Sequence, residues 1–244
     1  MIKHMHFFGD SFTAGDEILD DEFFPWKKDC RTSQEYFLRR NEYFLDSHFF
    51  AEYVGASKKY AYPALLETNG IRVYNHAING NSLQTVVVQL TKLILEKAEI
   101  DTVCIQIPNF IRQAWIAENG DIRSISMNIS THKSNKLLQR FVESSIMIFD
   151  DAHYAVLDIT SLFLIDSFCK QNGIEIFLTD FGDLAFRFNH SENFVHNLSK
   201  VTRSSLNIIN FADIDILDSH RLLGHHFDKA GHAIIARIIK EHIL

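Results

Sequence analysis

Short β-type runs alternate with longer helical patterns along nearly the whole chain, and this rhythm leaves few folds open. Five runs read as strands: "MHFF" near the start, "IRVYNHA" at 71–77, "DTVCIQI" at 101–107, "IEIFLTD" at 174–180 and "LNIINF" at 206–211. Between them, helical spacing covers Ser82 to Ala98, roughly Ser134 to Asn172 in one or two pieces, Glu192 to Arg203, and Asp228 to His242. Strands that alternate with helices predict a parallel sheet covered on both faces. The expected fold is α/β: a three-layer α/β/α sandwich around a five-stranded parallel sheet, flavodoxin-like in plan. A chain of 244 residues fits one such domain over 1–244.

One stretch breaks the rhythm. Residues 16–60 lie between the first strand and "YPALLETNG", which reads as a short helix. This inserted segment is rich in charges and aromatics, and its second half, "YFLRRNEYFLDSHFFAEYV", has helix-like spacing. Loops at the carboxyl ends of parallel strands surround the ligand crevice. The segment follows the first such end, so it either shapes a pocket or covers an apolar edge as a peripheral hairpin.

Bulk properties exclude more than they select. A formal net charge of -7 argues against broad contact with a phosphate backbone, so no nucleic-acid partner is expected. No uncharged run approaches the length of a membrane span, and "MIKHMHFF" is too short for a signal peptide. Three widely spaced cysteines, Cys30, Cys104 and Cys169, give neither a disulfide framework nor a zinc pattern. A cytoplasmic, reducing location is the expectation, with no cofactor and no metal. His225, His226 and Asp228 are close in sequence but lack a further ligand at a plausible spacing.

Three strand ends carry the residue types that acyl transfer needs. The first ends in Gly9-Asp10-Ser11, the second in Asn79-Gly80-Asn81-Ser82, the third in Pro108-Asn109. In a parallel sheet these ends share one side. A serine hydroxyl needs a base to become a nucleophile. The oxyanion it generates needs preorganised donors, which the N–H of Ser11, the N–H of Gly80 and the Asn109 amide can supply. Each piece alone is an ordinary turn or cap. Asp10 reads as a residue that stabilises its loop.

Taken together, these blocks resemble the SGNH, or GDSL, hydrolase family. "FFGDSFTAG" is similar to its first block, "VYNHAINGNSLQ" to its second with Gly80 at the oxyanion glycine, and "CIQIPNFIR" to its third with Asn109 at the oxyanion asparagine. "HHFDKAGHAIIARII" resembles the final block, where the catalytic histidine lies five residues before a glycine; here that relation picks His226 before Gly231. The resemblance runs from one end of the chain to the other, in the family's order. It implies a serine hydrolase acting on a small-molecule or glycan ester, and allows carbohydrate O-deacetylation and short-chain carboxylester, lysophospholipid or thioester hydrolysis. The acidic charge and the lack of a membrane-length apolar run lean towards a soluble polar ester such as an O-acetylated carbohydrate. An acyltransferase using the same site, or a binding module on the same scaffold, are the alternatives.

Two departures from the family pattern stand out. The third block usually reads glycine-x-asparagine-aspartate, whereas here Ile107-Pro108-Asn109-Phe110 lacks the acid. The family's aspartate usually precedes the histidine by two or three residues, and those positions hold Gly224 and Leu223. Asp218, eight residues ahead of His226, is the first candidate to replace it. Asp228 reads instead as a helix N-cap. A backbone carbonyl is a further way to orient the ring. His225 competes locally with His226, and "DSH" makes His220 an alternative base.

Overall fold

The computed structural model describes residues 2–68, 70–78, 80–108, 112–116, 122–127, 136–148, 151–181, 206–211, 214, 217, 219–222 and 226–244. Strands β1 (His4–Phe8), β2 (Arg72–Asn75), β3 (Thr102–Gln106), β6 (Glu175–Asp180) and β7 (Asn207–Asn210) form one sheet in the order β2-β1-β3-β6-β7. Every pair in it is parallel. This is the flavodoxin-like strand order, reversing direction beside the first strand, where such sheets open a crevice. β3, at the centre, is buried at all five positions, as a strand covered on both faces must be.

Side chains alternate across the sheet and divide the core in two. Phe8, Val103, Ile105, Ile176 and Leu178 face one way. They meet Leu83, Val86 and Leu90 of α5 (Leu83–Leu95) and Ile159, Leu162 and Cys169 of α7 (Asp151–Gln171). Met5, Phe7, Cys104, Phe177 and Ile209 face the other way, toward Ile235, Ala236 and Ile239 of the last helix, α8 (Lys229–Ile243). Spacings of three, four and seven residues put each helix's apolar set on one stripe. α7 is long and apolar enough to suit a membrane by length and composition, yet its apolar stripe is part of this core.

Between β1 and β2 lie the single turns α1 (Ser11–Ala14) and α2 (Asp20–Phe23), then α3 (Ser33–Tyr43) and α4 (Ser47–Tyr60). These helices build a small aromatic core of their own from Ile18, Leu19, Phe24 and Tyr53, with Phe23, Trp26, Phe44 and Phe49 packed against it. Four of the chain's 21 phenylalanines lie here. α3 and α4 start at Thr32 and Asp46, whose side chains accept from Glu35 N and from His48 N and Phe49 N.

Some local expectations change. "YPALLETNG" makes only a 3₁₀ turn over Ala64–Leu66 rather than a helix. After β3 the chain adds an antiparallel hairpin of β4 (Arg112–Ile116) and β5 (Ile122–Ser126), which was not expected. The long helical pattern is two helices, α6 (Lys136–Ile148) and α7. The helix expected at 192–203 lies outside the described residues.

His232 of α8 is fully buried, and its Nδ1 accepts the Tyr62 N–H at 3.1 Å. A nitrogen that accepts cannot also hold a proton, and burial further pushes the imidazole pKa down to about 3. The unfolded chain binds a proton there near pH 6.5 that the folded chain refuses. His232 therefore supports the fold fully above pH 6.5 and progressively less as the pH falls from 6.5 toward 3. In an NMR titration the His232 C2–H resonance should keep its neutral position from pH 8 to about pH 4.5. A midpoint near 6.5 would mean that the Tyr62 bond is not held.

Candidate active site

The chain leaves β1 through Gly9 and Asp10 and turns at once into α1, with Ser11 as its first residue. Gln106, at the end of neighbouring β3, fixes this turn. Its Oε1 accepts the Asp10 N–H at 2.9 Å, and its amide donates to Ile107 O. Thr13 adds a buried bond to the Tyr62 hydroxyl at 2.8 Å. Only glycine fits at position 9: an added Cβ would lie 2.4 Å from Thr13 Oγ1 and 2.8 Å from Gln106 Oε1.

Asp10 acts as a structural anchor. One oxygen caps α1 by accepting the Phe12 N–H at 3.1 Å. The other accepts from Arg112 of β4 at 2.7 Å, which ties the unexpected hairpin to the serine turn.

Ser11, 8% exposed, meets the other end of the chain. Its Oγ is 2.6 Å from His226 Nε2. His226 Nδ1 is in turn 2.9 Å from Glu17 Oε2. A carboxylate at Nδ1 takes the ring's N–H there, so Nε2 presents its lone pair to the serine hydroxyl. Phe12 tilts against the imidazole with ring centres 4.8 Å apart and stacks on Phe181 at 5.5 Å, walling the pair off on one side. Burial opposes protonation of His226. The Glu17 hydrogen bond and the charges of Asp16, Glu17 and Asp10 outweigh it and hold the pKa above the ordinary histidine value.

The residue that sequence reasoning passed over is Glu17. Asp218, the carboxylate expected to approach His226, lies outside the described residues, as do Leu223, Gly224 and His225. The carboxylate found at Nδ1 comes instead from the serine's own loop, six residues after Ser11. Glu17 is 1% exposed and takes a left-handed backbone with φ of 64°, uncommon for a residue with a side chain. Such strain clusters at functional sites.

His220 is engaged elsewhere. Its Nδ1 is 3.2 Å from Asp228 Oδ2, and Asp228 also caps α8 by accepting the Gly231 N–H at 2.8 Å. Leu222 N–H donates to His226 O at 2.7 Å, so this loop folds back on itself and presents His226 to Ser11.

Gly80 sits in the turn after β2, against the serine turn. Ile78 N–H and the Asn81 side-chain amide both donate to Gly9 O, at 3.2 Å each. Gly80 has φ of 77°, a conformation that favours glycine, and an added Cβ there would meet nothing within 4 Å. Asn109 lies outside the described residues.

Among the described residues no group of three or more histidine, cysteine or acidic side chains is arranged to hold a metal ion. Asp16 and Asp20 are close together, but Arg40 fills the space between them. His6 and His76 share one hydrogen bond at 2.9 Å on the sheet edge, and burial pushes His76 down to about 4, so both act as neutral polar links.

No protein-family model matches the chain, and no curated protein matches it either. Among solved structures it is similar to a psychrotrophic esterase from Pseudoalteromonas, with 12% identity, 99% of this chain and 96% of that one covered, and a TM-score of 0.48. An acetylxylan esterase from Geobacillus stearothermophilus shares 15% identity over 99% of this chain and 94% of its own, with a TM-score of 0.47. A member of the lipolytic G-D-S-L family from Veillonella parvula shares 10% over 98% and 97%, with a TM-score of 0.48. At this distance a functional reading rests on the chain's own side chains.

The clash at Gly9 can be measured. Gly9→Ala should cost about 1–3 kcal/mol in urea unfolding, since Gln106 and Thr13 must move. An unchanged midpoint would show that the serine turn is looser than its hydrogen bonds imply.

Proposed function

We propose that the protein is a serine hydrolase that cleaves a carboxylic ester through an acyl-enzyme. Ser11 is the nucleophile, His226 the base and then the acid, and Glu17 the carboxylate that orients and supports the imidazole. The observation that carries this reading is the unbroken hydrogen-bonded chain Ser11–His226–Glu17, with spacings of 2.6 and 2.9 Å.

The proton steps follow from that hydrogen-bonded chain, and the oxyanion donors, Asn109 among them, are those the family resemblance implies. His226 Nε2 takes the hydroxyl proton as Ser11 Oγ bonds to the ester carbonyl carbon. The carbonyl oxygen becomes an oxyanion, received by the N–H of Ser11, the N–H of Gly80 and the amide of Asn109. His226 then gives its proton to the departing alkoxy oxygen, which leaves as an alcohol, and the acyl group stays on Ser11. Water then loses a proton to His226 as its oxygen bonds the acyl carbon; the bond to Ser11 Oγ breaks, His226 returns the proton to Oγ, and the acyl group leaves as a carboxylic acid. While His226 is charged, Glu17 and the nearby Asp16 and Asp10 stabilise it. The acidic net charge of -7 disfavours an anionic lipid surface and favours a small soluble ester, with an O-acetylated carbohydrate as the proposed class. A mere binding module on the same scaffold would be favoured by the lack of an acid at positions 223 and 224, and the Glu17 carboxylate at His226 Nδ1 supports a working site instead.

A fluorophosphonate probe should label Ser11, and Ser11→Ala should abolish both labelling and aryl acetate turnover in a folded protein. Labelling at another residue, or turnover in the variant, would overturn the assignment.

The acid has its own signature. Glu17→Gln should lower kcat by about 10²–10⁴-fold, while Asp218→Ala should stay near the parent rate. His226 must be neutral to act as base, so kcat/KM should rise with pH through an inflection above 6.5. Glu17 raises that inflection by stabilising the proton, so Glu17→Gln should move it to lower pH. An unmoved inflection in Glu17→Gln would remove Glu17 from the triad.

A further inference from the structure

We infer that Tyr53 and Arg40 are positioning residues for Glu17, which makes α3 and α4 part of the active-site machinery rather than a cover over it. This rests on Glu17 being the triad carboxylate.

The Tyr53 hydroxyl has one hydrogen and two lone pairs, and all three are used. It donates to Asp20 Oδ1 at 2.7 Å, and it accepts from Glu17 N at 2.8 Å and from Arg40 Nη2 at 2.9 Å. The 3.4 Å separation from Asp16 Oδ1 leaves Asp20 as its acceptor. Arg40 also bonds Asp16 Oδ1, and its Nε lies 3.3 Å from Asp20 Oδ2. Asp16 closes the circuit: its Oδ1 also accepts from Glu17 N at 3.1 Å, and its backbone N–H donates to Ser11 O at 2.9 Å.

Both residues are themselves fixed. Tyr53 is fully buried among Phe23, Phe24 and Phe44. The Arg40 guanidinium lies 4.6 Å from the centre of the Phe44 ring. Arg40 is 5% exposed and Asp20 fully buried, so the network is shielded from water.

The point of attachment matters. Tyr53 holds the backbone N–H of Glu17, the residue with the left-handed φ. Holding that N–H keeps an otherwise unfavourable conformation populated, and the conformation aims the carboxylate at His226. Arg40 adds the counter-charge that lets Asp16, Glu17 and Asp20 share one buried space. Removing the Tyr53 hydroxyl takes one partner each from Glu17 N, Arg40 Nη2 and Asp20 Oδ1, leaving Asp16 Oδ1 as the acceptor for the first two, while a phenyl ring preserves the packing.

A double-mutant cycle on the full chain tests this, with 4-nitrophenyl acetate as substrate. Tyr53→Phe alone should lower kcat roughly 10–100-fold with KM changed less than about twofold. In a Glu17→Gln background, Tyr53→Phe should lower kcat by less than about threefold, because its effect passes through a carboxylate already lost. Equal losses in both backgrounds, or a silent Tyr53→Phe, would overturn the inference. If Tyr53→Phe melts below the assay temperature, Arg40→Lys takes its place in the same cycle and is judged by the same criteria. Fluorophosphonate labelling separates the two levels. A wild-type protein not labelled at Ser11 defeats the esterase reading itself, whereas a labelled one with additive losses defeats only the role of Tyr53 and Arg40.

Discussion

His226 joins two residues that lie only six apart, Ser11 and Glu17, from 215 and 209 positions further along the chain. That one ring closes the C-terminal loop onto the first turn. Three conditions must hold for it to sit there. The sheet must place Ser11 at the carboxyl edge of β1. The loop 219–228 must fold back so that its last part reaches the same edge. The carboxylate of Glu17 must be buried and still accept from Nδ1. The first condition belongs to the α/β frame and the second to the Asp228 cap and the Leu222–His226 hydrogen bond. The third is the demanding one, because an isolated buried carboxylate is costly.

The helical segment after β1 is where that cost is met. Asp16, Glu17 and Asp20 are three acids within five positions, all buried. Arg40 from α3 supplies a cation, and Tyr53 from α4 supplies a hydroxyl that is both donor and acceptor. Even so, burial pushes Asp20 up to about 6, despite Arg40 beside it. The balance of charge therefore depends on groups outside the segment. His226, with its pKa raised by Glu17, Asp16 and Asp10, is the second cation when, in the proposed reaction, it carries the serine's proton. In the proposed reaction the cluster would favour the charge distribution that forms during proton transfer over the one that precedes it, the direction catalysis requires.

The frame was legible in the sequence because it repeats a local pattern. β1, β3 and β6 are short apolar runs buried at nearly every position, and β2 and β7 complete the alternation as more exposed edge strands. Ser11 and His226 were legible because each sits in a compact motif at an element boundary. The hairpin β4–β5 was missed, although Asn119-Gly120 between two β-type runs is an ordinary signal for one. From sequence, no element is assigned between the third strand and the helical pattern from about Ser134.

Glu17 was missed for a different physical reason. Nothing in "GDEILDDEF" distinguishes one acid from its neighbours; solvation alone would treat Asp16, Glu17, Asp20, Asp21 and Glu22 alike. What selects Glu17 is a backbone φ of 64°, and that conformation is not a local preference of glutamate. It is held by Tyr53, 36 positions away, and framed by Arg40, 24 positions from Asp16. A role fixed by tertiary contacts of this length leaves no short motif to find. The same reasoning explains why the expected acid was sought just ahead of the histidine. Local proximity is all that a sequence offers, whereas a folded chain needs only one carboxylate at Nδ1 and is indifferent to which side of the sequence brings it. On the proposed triad, Glu17 comes from the serine's own loop, and the departure from the expected pattern is a relocation of the acid.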